Sequence, residues 1–354
     1  MDSVTISGFQ GTYFTSNVPD ILIPVASPAA KARVTVTAGA ELLLQETLWP
    51  VGGVVTLSEM GELLETVAQQ QLVVNIEVRV QLLDANGGST GQPTTTTATI
   101  LYSRADVGIA AQEFYEGFFL SILMGTKVTA HGRLEYLHYY GTEAAQVAAE
   151  YDDGTTQTFA ALRSGGTGAY TQLDVSPDYY EQADKQLIAY TVTAGSRSQR
   201  FEMDLEKPDC APILEFYNSF GVWELIYCTG THRVSPEYNR QSARIGGRLR
   251  NYKIDETRTF QADTGFLPRA MADWADELFR SDLVYVVNVI DGQLVDRNGG
   301  HEVILSDSKS ERTNDDDHLA RFTFSYQYAQ RIHNVLQLNR VGRIFDNTFD
   351  HTFN

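Results

Sequence analysis

The stretch LVVNIEVRVQLLDANGGSTGQPTTTTATILY, residues 72–102, contains the pattern that recurs along most of this chain. Its two ends are rich in Val, Ile, Leu and Thr, which favour β-strands. The Gly-rich segment 84–91 between them is typical of a turn or hairpin loop. The predicted strands include 33–37, 42–48, 72–83, 95–102, 133–139, 146–151, 157–163, 186–193, 200–205 and 319–328.

Three helices are predicted between these strands. The first begins at Thr56, because Thr56 and Glu59 have the spacing of a capping box. The second spans 107–123, and the third begins near Pro268. Their apolar faces consist of Met60, Leu63, Leu64 and Val67; of Ala110, Ala111, Phe114, Phe118 and Ile122; and of Leu267, Met271, Trp274 and Leu278. We therefore predict a mainly β protein, α+β in detail, built of β-sandwich-like units that each pack one helix.

Two changes in composition suggest domain boundaries. Segment 206–212 contains two prolines within five residues, and segment 103–106 separates a predicted strand from the second helix. The prediction is three units: 1–105, a β-rich domain with one helix; 106–206, a helix followed by a β-rich domain; and 207–354, a β-rich domain with one helix and a C-terminal aromatic arm.

The charge balance argues against nucleic acid as the main partner. The chain has 27 basic and 45 acidic residues and a net charge of -18, and such a surface repels phosphate backbones. Arg240, Arg244, Arg248 and Arg250 form a local basic cluster, and in one strand their even spacing would place all four on the same face. We interpret that face as solvated or interfacial rather than as a nucleic-acid site.

Membrane insertion and export by a signal peptide are not expected either. No stretch approaches the roughly 18 to 20 apolar residues of a membrane span, and the N-terminus lacks a basic region followed by an apolar one. We expect a protein kept in the cytoplasm or released by another route. Two cysteines, Cys210 and Cys228, give no disulfide framework, so two reduced, mostly buried thiols are expected.

No motif for catalysis emerges. The seven histidines are scattered, no Gly-x-Ser-x-Gly elbow occurs, and no Gly run is followed by the Lys-Ser or Lys-Thr of a phosphate loop. A hydrated turn is favoured over a calcium site at 315–317, because the three Asp are consecutive and lack a closing Glu. Asp152 and Asp153 resemble the tip of a hairpin. We predict no catalytic residue, cofactor or metal, and no enzymatic activity.

Tyrosines offer a different functional hypothesis. Tyr139 and Tyr140 could stack on a glycan, although tyrosine is also an ordinary half-buried strand residue, and that structural use is favoured.

The C-terminal segment carries large aromatic residues where a chain is usually polar. Phe345, Phe349 and Phe353 recur every fourth residue, with Asp346 and Asp350 following the first two. In an extended strand the three Phe side chains share one face, so they require a surface against which to be buried. The strand either completes the protein's own sheet or inserts into a neighbouring subunit, and in the second case these five residues form an interface.

Several segments resemble a family of uncharacterised structural proteins encoded near tail genes in tailed phages and prophages of the Bacteroidetes. The matching segments are 14–21 (FTSNVPDI), 216–222 (FYNSFGV), 226–230 (IYCTG), 264–274 (TGFLPRAMADW), 304–308 (ILSDS), 314–317 (NDDD), 322–326 (FTFSY) and the terminal Phe-Asp-x-Thr repeat. None of these motifs marks a catalytic residue. The resemblance implies a β-rich virion component that is assembled in the bacterial host cytoplasm.

Together these observations predict a structural component of a phage tail or tail tip, of ring or adaptor type. It would assemble as a homo-oligomer, and with other tail proteins, through β-edge and C-terminal arm contacts. A glycan- or receptor-binding module on the virion or cell surface is the alternative.

Overall fold

Alternating apolar and polar side chains build most of the strands. In the strand Lys31–Ala38, Ala32, Val34 and Val36 are fully buried, whereas the residues between them are exposed or half-buried. Because successive strand residues point to opposite faces, this pattern places one face of the strand in a core. Strands make up 52% and helical residues 13% of the structure, which confirms the predicted mainly β fold class.

The computed structural model describes residues 6–166, 170–206, 208, 210–290, 293–294, 300–309 and 319–329. The strands are β1 (Gly11–Phe14), β2 (Ile21–Pro24), β3 (Lys31–Ala38), β4 (Glu41–Leu48), β5 (Val54–Leu57), β6 (Val73–Leu83), β7 (Thr94–Leu101), β8 (Lys127–Thr129), β9 (Tyr136–Tyr140), β10 (Ala145–Tyr151), β11 (Thr156–Ala160), β12 (Leu162–Gly165), β13 (Tyr170–Asp174), β14 (Leu187–Ala194), β15 (Arg197–Met203), β16 (Ile213–Tyr217), β17 (Trp223–Tyr227), β18 (Arg233–Ile245), β19 (Arg248–Asp263), β20 (Val284–Val287), β21 (Val289–Ile290), β22 (Gln293–Leu294), β23 (His301–Lys309) and β24 (Thr323–Tyr328). The α-helices are α1 (Met60–Gln71), α2 (Ala111–Gly117) and α3 (Arg269–Ala275), and short 3-10 helices cover Thr15–Asn17, Pro177–Tyr180 and Asp276–Arg280.

The chain divides into two compact units. Unit 1 contains residues 1–117 and 219–221, and unit 2 contains residues 118–218 and 222–354. The three domains predicted from composition, with boundaries after residues 105 and 206, remain a prediction.

Unit 1 is built on a five-stranded sheet with the order β1-β7-β6-β3-β4. Its strands are antiparallel except for β1, which runs parallel to β7. Helix α1 buries Met60, Leu64, Val67 and Ala68, and β2 and β5 form a separate two-stranded sheet. In the same unit, the ring of Phe114 in α2 stacks on the ring of Phe220, with ring centroids 4.9 Å apart.

The first helix begins later than predicted. Thr56 lies in β5, where it pairs with Leu22, so it cannot cap α1. The residue before α1 is Glu59, which has a φ of 57° and makes no side-chain capping hydrogen bond. The capping-box prediction was therefore wrong, because the backbone of Thr56 is used in a strand ladder.

The second helix is much shorter than predicted. It ends at Gly117 and not near residue 123. Beyond it the chain is irregular, and the N–H of Leu120 donates to the carbonyl of His138 at 2.7 Å instead of continuing a helix. Phe118, predicted on the apolar face of this helix, is 39% exposed.

Unit 2 contains three larger sheets. Their strand orders are β11-β10-β14-β15-β8, β12-β13-β9 and β17-β16-β20-β23-β24-β19-β18. Helix α3 begins directly after Pro268, as predicted, and it is followed by the 3-10 helix 276–280, which contains Leu278. Its residues Met271 and Trp274 are buried with Leu278, Phe216 and Phe260 in one core.

Candidate protein interface

The longest pair of strands in the described part of the chain forms a hairpin. Strand β18 has 13 residues and β19 has 16, and they pair in antiparallel register from Arg233 with Gln261 to Ile245 with Arg248. Gly246 and Gly247 connect them with φ values of 62° and 78°. Two consecutive left-handed residues define a type I′ turn, whose twist matches that of a hairpin and which glycine adopts without strain.

Most of this hairpin extends past the sheet to which it belongs. Strand β19 pairs with β24 only at 260–263, and within the described ranges no other strand pairs with β18 or with the first part of β19. Every residue from 235 to 254 is exposed except Ala243, which is half-buried. At about 3.3 Å per residue, the 11 residues from 235 to 245 span about 35 Å. We call residues 235–257 the arm.

Between Glu237 and Asp255 the arm is basic and carries apolar side chains. Residues 238–253 contain four Arg, one Lys and no acidic residue. Among these residues Leu249 is 74% exposed, Tyr252 60% and Ile245 51%. Arginine and tyrosine are the residue types that protein interfaces favour.

The structure corrects the predicted placement of the four arginines. Arg240 and Arg244 lie on β18, whereas Arg248 and Arg250 lie on β19 beyond the turn. Arg248 is paired with Ile245, the neighbour of Arg244, so it lies on the opposite face from Arg244. Both faces of the arm are therefore positively charged.

Not all of these cations are paired within the described residues. Lys253 forms an ion pair with Asp255 at 2.8 Å, and the guanidinium of Arg240 lies 5.1 Å from the ring centroid of Tyr238. For Arg244, Arg248 and Arg250, no carboxylate of the described residues lies within ion-pair distance.

The base of the hairpin is held by a buried carboxylate. Asp263, at the end of β19, accepts hydrogen bonds from the guanidinium of Arg321, from the N–H of Gly265 at 2.8 Å and from the N–H of Thr231 at 3.3 Å. Burial alone would raise the pKa of Asp263, but the hydrogen bonds, with that from Arg321 foremost, hold it below its usual range. These contacts tie the end of β19 to Thr231, two residues before β18 begins.

Stacked aromatic rings pack the same base. Phe260 of β19 stacks on Tyr326 of β24 with ring centroids 4.7 Å apart, and the ring of His232 lies parallel to both. The hydroxyl of Tyr326 lies 2.9 Å from Nε2 of His232. Burial lowers the pKa of His232, which favours the neutral imidazole. The arm therefore projects from a rigid base.

A second group of charged residues in unit 2 is buried instead of exposed. The ammonium group of Lys127 lies 2.7 Å from a carboxylate oxygen of Glu135, and the two side chains are 9% and 1% exposed. It also lies 4.6 Å from the ring centroid of Trp274. The carboxylate of Glu224 accepts hydrogen bonds from the indole N–H of Trp274 and from the amide of Asn218.

This buried group has the features of a structural element. Desolvation raises the pKa of Glu224, while Lys127 and the hydrogen bonds oppose that rise. The adjoining cavity has a volume of about 20 Å³, enough for about one water molecule.

Residues that could hold a metal meet at another surface point of unit 2. One potential ligand atom from each of His131, Asp178 and Glu181 lies within 4.8 Å of the others. Nδ1 of His131 is 2.6 Å from Glu181 and 3.3 Å from Asp178, so the imidazole hydrogen-bonds to a carboxylate. An imidazole with two carboxylates suits a divalent transition metal. About 50 residues separate His131 from the two acids, so no local spacing could have revealed this group.

The predicted glycan contacts lie in different environments. Tyr139 is 1% exposed, and its hydroxyl donates to the carbonyl of Glu143. The guanidinium of Arg197 lies 4.9 Å from its ring centroid. A ring so enclosed presents no face to a sugar, which counts against the predicted contact at Tyr139. Tyr140 is half-buried at the end of β9.

Of the remaining residues that the sequence singled out, the structure describes Asp152 and Asp153 but not those near the C-terminus. Asp152 and Asp153 lie between β10 and β11, as the hairpin-tip interpretation predicted. The hydrogen bond from Lys185 is the main cause that lowers the pKa of Asp153 to about 2. Outside the described residues lie the predicted acidic turn at 315–317 and the predicted interface residues Phe345, Asp346, Phe349, Asp350 and Phe353.

Comparisons with known proteins add little to this description. None of the helices in the described part of the chain combines the length and the apolar character that a membrane span requires. No family model matches the chain, and no curated protein matches it. Among solved structures, the fibronectin(III)-like modules of Clostridium thermocellum CbhA align over 57% of this chain and 94% of theirs, with 8% identity and a TM-score of 0.20. A likeness of that size supports no conclusion about function.

Proposed function

We propose that this chain is a non-enzymatic structural component of a phage tail or tail tip, and that it forms a homo-oligomeric ring or adaptor in the virion. The arm is the observation that carries the proposal. A two-stranded hairpin alone is marginally stable in water, and the described residues leave apolar side chains such as Leu249 and two strand edges of this one uncovered. Contact with another subunit would cover both.

The geometry of the arm suits head-to-tail assembly. An arm that projects from one face and binds a different face of the next subunit makes a heterologous contact, and such contacts close into rings when the rotation permits. The edges of the arm with which no described strand pairs can add to a neighbour's sheet. The phage setting and the neighbouring tail proteins rest on the resemblance of segments such as 216–222 and 264–274.

Shortening the arm tests this function. Residues 238–256 are removed and Glu237 is joined to Thr257 through Asn-Gly, since these two residues pair directly and the new turn keeps their register. Native mass spectrometry and negative-stain microscopy should show closed oligomers for the full-length chain and smaller species for the shortened one. Identical oligomers from both chains would refute a role of the arm in assembly.

The C-terminal contact is tested separately. Deletion of residues 345–354 should weaken the same oligomer if the aromatic strand inserts into a neighbour. If the deletion does not change the oligomer, the aromatic strand does not insert into a neighbour, and the alternative that it completes the protein's own sheet is favoured.

A further inference from the structure

We infer that the partner of the arm is the acidic surface of a second copy of this chain. The inference rests on the proposed assembly function and identifies what the arm binds. Its basis is the opposite charge of the arm and of the rest of the molecule, together with the three arginines near the turn that have no ion-pair partner among the described residues.

The charges of the chain are distributed unevenly. Residues 238–253 carry five basic side chains and no acid, so the rest of the chain carries a net charge of -23. Residues 1–232 hold 27 of the acidic residues against 11 basic ones. Several of these acids are exposed, among them Glu41, Glu62, Glu116, Asp184 and Glu202. Oppositely charged surfaces accelerate association and fix its orientation.

An acidic protein surface suits the arm better than a nucleic acid does. At long range the net charge of -18 repels a nucleic acid and another copy alike, so the local chemistry of the arm decides between them, and another copy supplies carboxylates and apolar groups together. Leu249 lies between Arg248 and Arg250 on β19, and Tyr252 follows two residues after Arg250, so a partner must offer apolar contacts beside its acidic groups. Protein surfaces combine the two, and a phosphate backbone does not.

Reversing the charge of the three unpaired arginines tests the inference while the arm keeps its length. The variant Arg244→Glu/Arg248→Glu/Arg250→Glu is compared with Arg33→Glu/Arg79→Glu/Arg269→Glu, which changes the net charge equally at exposed sites outside the arm. The arm variant should raise the dissociation constant of the oligomer about tenfold or more. About 1 M NaCl, which shortens the Debye length to about 3 Å, should weaken the unmodified oligomer but not the arm variant.

A crosslinker identifies the surface directly. A photoreactive phenylalanine analogue is placed at Tyr252, and isotopically labelled and unlabelled copies are mixed. Crosslinks between copies that end within residues 1–232 are expected, and crosslinks confined to one copy would overturn the inference.

The outcomes separate the inference from the proposed function. If the shortened arm abolishes the oligomer but charge reversal acts no more strongly than the control, assembly by the arm stands and its acidic partner is wrong. If neither variant changes the oligomer, both are wrong. A chain that stays monomeric at low salt, or an arm that binds a DNA duplex in fluorescence anisotropy more tightly than it binds another copy, overturns the acidic partner.

Discussion

Replacement of Lys127 by Met should destabilise unit 2 by about 3–5 kcal/mol at neutral pH, because it leaves buried carboxylates without their cation. The ammonium group lies 2.7 Å from Glu135, whose side chain is 1% exposed. At an effective dielectric constant of about 20 the attraction at this distance amounts to about 6 kcal/mol. Removing the desolvation cost of Lys127 offsets part of that loss, and Met fills a similar volume, so the cavity contribution is small.

The effect should depend on pH in a defined direction. Desolvation raises the pKa of Glu224, and loss of Lys127 removes an opposing influence. An acid with a raised folded-state pKa stabilises the fold at low pH, and that contribution is lost as the pH rises through the folded-state value. The difference in stability between wild type and Lys127→Met should therefore shrink as the pH is lowered from about 8 to about 5.

Urea unfolding followed by the fluorescence of Trp274 measures this change, in a background where Trp49 and Trp223 are Phe. The matched control is Lys185→Met, which removes an exposed ion pair with Asp153 of the same 2.7 Å length. Exposed pairs contribute at most about 1 kcal/mol. The reasoning is refuted if Lys127→Met costs no more than the control, or if the difference grows as the pH falls.

Three further changes test other parts of the structure. Gly61→Ala should destabilise unit 1 by about 1–3 kcal/mol in thermal unfolding, because the added Cβ would lie 2.1 Å from the carbonyl oxygen of Thr15. Arg321→Met should raise the pKa of Asp263 and so move the acid-unfolding midpoint to higher pH, since the stability from a depressed carboxyl pKa is present above the unfolded-state value and lost below the folded one. Burial raises the pKa of the Cys228 thiol far above its usual value, so a disulfide reagent at about pH 8 should label this residue only after unfolding.

Each of these changes has a matched control. Gly91→Ala meets no atom within 4 Å and should be neutral; an equal loss for both glycines would contradict the clash. Arg269→Met removes another exposed guanidinium, and an equal shift of the acid midpoint would remove the role given to Arg321. A Cys210→Ser variant leaves Cys228 as the remaining thiol, and rapid labelling of its native form would show that Cys228 is accessible.

Local patterns predicted the strands in which buried and exposed residues alternate. Strands such as β3 and β6 alternate buried apolar with exposed polar residues, and that period can be read directly from the chain. Helix α3 was predictable for the same reason, since Met271, Trp274 and Leu278 recur at helical spacing after Pro268. The start of α1 was not, because Thr56 suits a strand ladder as well as it suits a helix cap.

Two kinds of feature could not be predicted: a hairpin without a buried face, and contacts between residues that are distant in the sequence. The arm has few apolar residues and no buried face, so only the Gly246-Gly247 pair marked it as a hairpin. Lys127 and Glu224 are 97 positions apart, and only the folded chain brings them near one another. Sequence periodicity reports which residues are buried, but it does not report which buried charges meet.

The contacts at the base of the arm determine how precisely the turn at its far end is positioned. A tilt of about 10° at Asp263 would displace the turn, about 50 Å away along β19, by about 9 Å, more than the roughly 4.8 Å between neighbouring strands. Such an error would move the exposed edge of the hairpin by more than a whole strand position on its receptor. The orientation of the whole arm therefore depends on the contact between Asp263 and Arg321 and on the stack of Phe260 on Tyr326. A mutation at these positions would disturb docking although it changes no residue that docks.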